Sequence, residues 1–488
     1  MTTKCTAPVR PGNLVVILSD EHSPHVMGCA GHPEVHTPHL DALAARGTRF
    51  LNASCASPIC VPARAALATG RNVFETGYWD NVDAYDGRTR SWHHVLREAG
   101  HEVVSIGKLH YRGWPGDDYG FSESLLPMHI HGGKGEPKML LRDPPAPLGD
   151  GSGLLASARP GVSDYNRYDE QICATAQQWL QRRAEGPRPA RPWVLLVSLV
   201  APHFPLTVPE PYFGLYRDRP LTLPKDYLFG VDERAHPFVR QYARASGYNL
   251  HFRNEDDVRR ALCGYYGLVS FLDEKVGRIV RTLADTGLAA NTRVMYLSDH
   301  GDNVGARGLW GKGTMYAESV GVPMILCGDG IEAGATRTAA VSHIDVYDTV
   351  LDAVGVPLSR STASPRSLSL LRPLDPGRVT LSEYHTIGSA SAVFMLRNDR
   401  AKYVHYCDHP PQLFDLERDP GERTDLGPDP AHEAELREWR SRLEALCVPD
   451  DVDRRAKARQ AELIERFGGE AAIRAAPGIG GYTPSPVH

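Results

Sequence analysis

The chain has 488 residues, 42% of them hydrophobic, and sets 54 lysines and arginines against 59 aspartates and glutamates for a formal charge of −5. That length and apolar content allow one large core and a smaller satellite, while the near-balance of charge and the lack of a long basic run argue against a dedicated nucleic-acid or anionic-membrane binder. The nine cysteines are odd in number and lack paired spacing, which reads as reduced thiols in a cytoplasm.

The first apolar run, in "MTTKCTAPVRPGNLVVILSD", is too short for a signal-peptide core and ends in acids, so no leader is predicted, and no later segment approaches membrane-spanning length. In chain order, strands are predicted at "NLVVILSDEH" (13–22), "EVVSIGKLHY" (102–111), "WVLLVSLVAPH" (193–203), "RVMYLSDHG" (293–301) and "GVPMILCGDG" (321–330). Their shortness, β-branched content and lack of strict alternation suit strands buried on both faces of a parallel sheet. Helices fall between them at "TPHLDALAARG" (37–47), "PARAALATG" (62–70), "GLVSFLDEKVGRIVRTLADTG" (267–287) and "IDVYDTVLDAVG" (344–355). The alternation predicts an α/β fold, a mostly parallel central sheet sandwiched by helices.

Residues 120–190, rich in Gly, Pro and Arg, read as a long excursion capping one rim of that sheet. Near 376 the pattern changes: "RVTLSEYH", "AVFMLRND", "KYVHYC" and "QLFDLERD" predict short antiparallel strands, followed by a helix at about 430–446. The predicted divisions are a catalytic domain over 1–375, an α+β subdomain over 376–448 and a tail over 449–488. The tail's Gly/Pro-rich end, "AAPGIGGYTPSPVH", reads as disordered or as an arm lying on a neighbouring chain.

Ligands in such sheets bind beyond the carboxyl ends of the strands. Four predicted strands end there in polar groups: Asp20 and Glu21, Lys108 and His110, His203, and Asp299 and His300. Cys60 precedes Pro62, a residue suited to a helix's first turn, so Cys60 is placed at a helix start, where free N–H groups and the dipole acidify a thiol and welcome an anion. Arg64 lies one turn on. Lys108, His110, His203 and Lys312 make a cationic pocket for an oxyanion. Asp20, Asp299 and His300 offer ligands to a divalent cation, with Glu21 fourth or behind them. "GYWDN" adds Trp79, Asp80 and Asn81 as substrate contacts, an aromatic and an acid suiting a cationic leaving group.

Each of these residues has a plainer reading. Cys60 alone is a packed core thiol, Asp20 and Asp299 are helix N-caps, and His203 is a turn residue. Lys108, His110 and Lys312 read as solvated loop groups, and Trp79 as core. His22, His25, His32, His36 and His39 fit no compact zinc spacing.

The residues together resemble a known family. Cys60-Val61-Pro62-Ala63-Arg64 matches the C-x-P-x-R signature of the formylglycine-dependent sulfatases of the alkaline phosphatase superfamily, and "AALATGR" its continuation. "VVILSDEH", "TPHLDALAARGTRF", "GKLH", "APHFP", "SDHGDNVGARGLWGKGTMYAESVGVPMI" and "QLFDLERDPGERTDL" resemble further family segments in family order, over about residues 13–430. The resemblance implies that Cys60 is oxidised to formylglycine (3-oxoalanine) by a separate maturation enzyme, and that its hydrated gem-diol attacks sulfur. It implies that Arg64 orients that group, and that Asp20, Asp299, His300 and the modified Cys60, with Glu21, bind the metal. Lys108, His110, His203 and Lys312 then bind sulfate oxygens or move protons.

Glu21 and His300 depart from the Asp and Asn of many sulfatases. His300 resembles the choline-sulfatase and phosphonate monoester hydrolase branches and makes Mn2+ a rival to Ca2+. The implied substrate is a small-molecule sulfate ester; hydrolysis of a phosphonate monoester or phosphodiester, and non-catalytic binding of a sulfated ligand, are the alternatives. The tail resembles oligomer-forming ends of the choline-sulfatase type, which predicts a dimer or tetramer.

Overall fold

The computed structural model describes residues 10–143, 151–187, 189–477 and 483–486. The N-terminal lead through residue 9, with Cys5, and half of the closing Gly/Pro-rich stretch (478–482, 487 and 488) lie outside the described residues. Eight strands form the central sheet: β1 (Asn13–Asp20), β2 (Gly47–Phe50), β3 (Val103–Lys108), β4 (Glu123–Met128), β5 (Val194–Pro202), β6 (Thr292–Ser298), β7 (Met324–Cys327) and β8 (Ala335–Arg337), in the order β8-β2-β7-β6-β1-β5-β3-β4. All neighbouring pairs are parallel except those of β7, which runs antiparallel to β6 and β2. The predicted strand at 321–330 therefore does not share the direction of the other four. The chain turns back after β6 and re-enters beside it, a return that needs no crossover helix.

Side chains alternate between two cores. Val15, Ile17, Val104, Ile106, Leu195 and Val197 pack against helices α1 (Pro38–Ala45), α3 (Asp164–Glu185) and α4 (Glu255–Asp285). Leu14, Val16, Leu18, Val103 and Leu196 pack on the other face, against α2 (Cys60–Thr69) and α5 (Ile344–Val354). Burial on both faces explains why these strands read as continuous apolar runs.

Residues 120–190 differ from the capping excursion expected of them. They supply the edge strand β4 and the 22-residue helix α3, whose buried Tyr165, Tyr168, Ile172, Cys173, Ala176, Trp179 and Leu180 follow a helical period that the Gly, Pro and Arg content obscured. The segment near 130–139 does reach the rim.

Beyond residue 376, strands Thr380–Tyr384 (β9), Val393–Arg397 (β10), Ala401–Tyr406 (β11) and Gln412–Asp415 (β12) form an antiparallel sheet in sequence order. One face, with Tyr384, Val393, Met395, Val404 and Phe414, joins the core that holds α2 and α5. The other packs against Trp439 and Leu443 of α6 (Glu433–Glu444) and Val452 and Ala456 of α7 (Pro449–Arg466). The start of the predicted tail is thus a helix packed on its own chain. Its buried Gln460 donates to Asp80 Oδ2 and the His385 carbonyl, each at 2.8 Å, and accepts from Arg142 at 3.0 Å. The eight described cysteines are unpaired, and among the described residues no helix is long and apolar enough to cross a membrane.

Candidate active site

The register sets β6, β1, β5 and β3 side by side with level carboxyl ends: Ser19 faces Ser298, Asp20 faces Pro202 and Gly107 faces Ser198. Asp20, Asp299, Lys108 and His203 thereby reach one rim, at the place ligands occupy in open α/β sheets. Two site residues just past strand ends, Glu21 (φ 68°) and His110 (φ 55°), adopt left-handed backbone, which non-glycine residues seldom do and which clusters at functional sites. Tyr265 of α4 holds the first turn: its hydroxyl donates to the Glu21 carbonyl at 2.7 Å and accepts from Ser23 N–H at 2.9 Å.

Cys60 is the first residue of α2, with Pro62 in the first turn. Its Sγ lies 3.2 Å from His300 Nε2, 3.4 Å from Lys312 Nζ and 3.8 Å from Asp20 Oδ1. The thiol is not acidified as its place on the helix suggested. Burial and the adjacent Asp20 carboxylate push it up to about 12 against the pull of Lys312 and Lys108, and the Val61 N–H at the helix start is taken by Asn81 Oδ1 at 3.0 Å. A bare thiolate nucleophile is therefore disfavoured.

The Arg64 guanidinium lies within electrostatic reach of Cys60. It lies fully buried, donating to Asp299 Oδ2 at 2.7 Å, Asp20 Oδ2 at 3.0 Å, the Lys108 carbonyl at 2.6 Å and Ser198 Oγ at 3.0 Å. Lys108 Nζ is 2.5 Å from Asp20 Oδ2, and burial of Asp20 is outweighed by the charges of Lys108 and Arg64, which hold its carboxyl well below the usual range. Lys312 donates to Glu21 Oε2 at 2.9 Å; burial pushes the Glu21 carboxyl up to about 7 despite that contact.

His203 lies between two cis X-Pro bonds, Ala201–Pro202 and Phe204–Pro205; its Nδ1 donates to the Phe204 carbonyl at 2.6 Å, which turns Nε2 toward Glu21 Oε2 at 3.3 Å. Burial first, then Lys312 for His203 and Lys108 for His110, holds both imidazoles well below the usual histidine range, so both are neutral at neutral pH. The expected cationic pocket is instead formally balanced: Arg64, Lys108 and Lys312 face Asp20, Asp299 and Glu21.

The ligand atoms of Asp20, Cys60, Asp299 and His300, all buried, lie within 4.8 Å of one another, and Asp20, Glu21 and His203 form a second such group. His300 Nδ1 donates to the Gly301 carbonyl at 3.0 Å, which leaves the Nε2 lone pair facing Cys60 and the two carboxylates. Two carboxylates and an imidazole nitrogen aimed inward fit a divalent cation.

Above the cluster lies a cavity of about 70 Å3 bounded by Cys60, Glu21, His110, His203 and Lys312 and walled by Ile59, Val61, Ile130, Met139, Phe204, Tyr242, Tyr248, Tyr384 and Ile387. Of the "GYWDN" residues, Asn81 lines it. Trp79 packs edge-on to His385 at 5.0 Å among Val73, Leu381 and Trp439, and Asp80 is spent on the Val82 and Asp83 N–H groups and Gln460. The sequence reading missed Ser198, Tyr265, the cavity tyrosines and Asp302, which accepts from Val304 and Gly311 N–H and so shapes the loop carrying Lys312. Asp302 follows the end of β6, a usable signal; Ser198, in the middle of β5, and the tyrosines carry none.

The model of the sulfatase family matches residues 12–356, and that of the N-sulphoglucosamine sulphohydrolase C-terminal region matches 305–448. The chain belongs to the sulfatase family. This sulfatase, and hence sulfuric ester hydrolase, is 32% identical over 427 residues to a choline-sulfatase of Rhizobium meliloti (strain 1021), covering 86% of this chain and 83% of that protein. It is 27% identical over 441 residues to arylsulfatase K of Homo sapiens, covering 85% and 78%. Among solved structures, the phosphonate monoester hydrolase of Agrobacterium radiobacter shares its fold with a TM-score of 0.71 at 23% identity, covering 89% of this chain and 95% of that one. A 2-O GAG sulfatase does so with 0.69 at 23% identity, covering 98% and 99%.

Proposed function

We propose that this sulfatase hydrolyses the sulfate ester of a small organic molecule to an alcohol and inorganic sulfate, with Cys60 converted to formylglycine by a maturation enzyme. The observation that carries the reading is the position of Cys60: its Sγ sits on the cavity floor within 3.8 Å of Asp20, His300 and Lys312, at the start of α2. A thiol held protonated by burial does little chemistry there. The hydrated aldehyde supplies an oxygen nucleophile with a built-in route of release.

Asp20, Asp299 and His300, with the modified residue 60, hold a divalent cation, Ca2+ or Mn2+, which supplies surplus positive charge against the anionic ester. The chain's own residues do the rest. Arg64 holds each of the two carboxylates by one hydrogen bond and is itself anchored by two more, to the Lys108 carbonyl and Ser198 Oγ, and Lys312 presents an ammonium to the sulfate oxygens. Neutral His110 accepts a proton from the nucleophile's side. The Lys312 ammonium, or His203 once its Nε2 has taken the proton of Glu21, delivers one to the leaving alcohol. The apolar and aromatic walls exclude water and suit a compact leaving group, for which the choline-sulfatase relative offers a first substrate to try. The eight described cysteines, all unpaired, support a cytoplasmic setting, and assembly as a dimer or tetramer is tested by light scattering at micromolar concentration.

The test is tandem mass spectrometry of the peptide spanning 50–64, joined to sulfate release by the wild type and Cys60→Ala. An aldehyde or its hydrate at residue 60, with release abolished in the variant, is the expected result; an intact thiol in fully active enzyme refutes it. Turnover of an aryl sulfate against an aryl phosphonate with the same leaving group separates the sulfur from the phosphorus substrate.

A further inference from the structure

A residue six from the chain's end stands in the active site. Thr483 Oγ1 lies 2.9 Å from His110 Nε2, its carbonyl accepts the Tyr165 hydroxyl at 2.5 Å, and its side chain lines the same cavity as Cys60 and Lys312. Thr483 is 8% exposed. Tyr165 belongs to the site's own scaffold: it stands on α3, edge-on to His203 at 6.0 Å, with Lys108 Nζ 6.0 Å from its ring centre. Both polar ends of Thr483 are therefore held by groups of the catalytic rim.

His110 needs such a partner. It follows β3 in a left-handed turn, and its Nδ1 has no hydrogen bond, so among the described residues Thr483 makes the one side-chain hydrogen bond that fixes the imidazole's rotation. A hydroxyl donates or accepts, so it serves the ring in either tautomer.

We propose that Thr483 is a positioning and specificity-determining residue of this active site: its hydroxyl orients the His110 imidazole, and its bulk closes the cavity wall so that only a small leaving group fits. The proposal rests on the reading of His110 as a group of the site, and it places the C-terminal segment inside the catalytic machinery of its own chain. The two residues stand 373 apart in sequence, so the contact is a product of tertiary folding alone.

Two measurements test it on the full-length protein, on Thr483→Val, Thr483→Ser and on a chain ending at Pro477. The first is labelling of His110 by diethyl pyrocarbonate, read by mass spectrometry, which needs no turnover and decides the placement even if no sulfate ester is hydrolysed. His110 is expected to be shielded in the full chain and labelled about tenfold faster in the shortened one; equal rates overturn the proposal. The second is steady-state kinetics on a small and a bulky aryl sulfate. Thr483→Val is expected to lower kcat about 10-fold with KM little changed, as loss of orientation does. Thr483→Ser restores kcat, and the shortened chain gains relative kcat/KM for the bulky ester. A Thr483→Val enzyme with wild-type kcat, or a shortened chain with unchanged preference between the esters, refutes the role.

Discussion

Arg64 ties the site together at the scale of single residues. Its guanidinium spans Asp20, Asp299, Ser198 and the Lys108 carbonyl, so it ties four neighbouring strands together through one planar fork. An ammonium cannot reproduce that fork. Arg64→Lys leaves buried carboxylate oxygens without donors and is expected to cost about 3 kcal/mol of stability and to weaken divalent-cation binding. Guanidinium denaturation and calorimetric titration with Ca2+ and Mn2+ check both; wild-type values in the two experiments sink the assignment. Helical spacing placed Arg64 beside Cys60, and its long side chain also reaches Asp299 and Asp20 at the sheet's rim. Spacing along a helix fixes where a side chain starts, and the acceptors decide where it ends.

At the scale of elements, the C-terminal sheet is fastened to the catalytic core by a buried acid. Glu383 on β9 accepts from the Phe74 N–H at 3.1 Å and from His385 Nε2 at 3.1 Å, with its side chain fully buried. Burial pushes its carboxyl up to about 8, above the ordinary 4.5, against the pull of the Phe74 N–H. The folded state thus binds a proton more tightly than the unfolded chain, and stability falls as pH rises from about 4.5 to about 8. Glu383→Gln removes that penalty: it is expected to be the more stable by on the order of 2 kcal/mol at pH 8, with the advantage gone at pH 5. Denaturation midpoints at the two pH values give the answer, and a pH-independent difference contradicts it. The strands of this sheet were legible because each is a short apolar run between turns. Its attachment was not, since a glutamate in a strand pattern reads as an exposed residue.

At the scale of the whole molecule, a cation held by the four buried ligand groups proposed for it would couple its binding to folding. A divalent ion that binds only the folded chain stabilises it by about 2.7 kcal/mol at a hundred times its dissociation constant. Thermal melts with Ca2+ or Mn2+ are therefore expected above those with chelator, and Asp299→Asn is expected to erase the difference. A melting temperature indifferent to chelation tells against a cation at Asp20, Asp299 and His300.

The sequence by itself determined the sheet's central strands, the rim and the Cys60 motif, because strands buried on both faces must be apolar throughout and stop where the chain meets the ligand site. Only tertiary structure decided that Trp79 is core, that α3 lies within a stretch of loop-like composition and that 449–466 packs at home. It alone brought Thr483 to His110. These contacts join segments up to hundreds of residues apart, and no local period or propensity encodes which distant surface a side chain will meet.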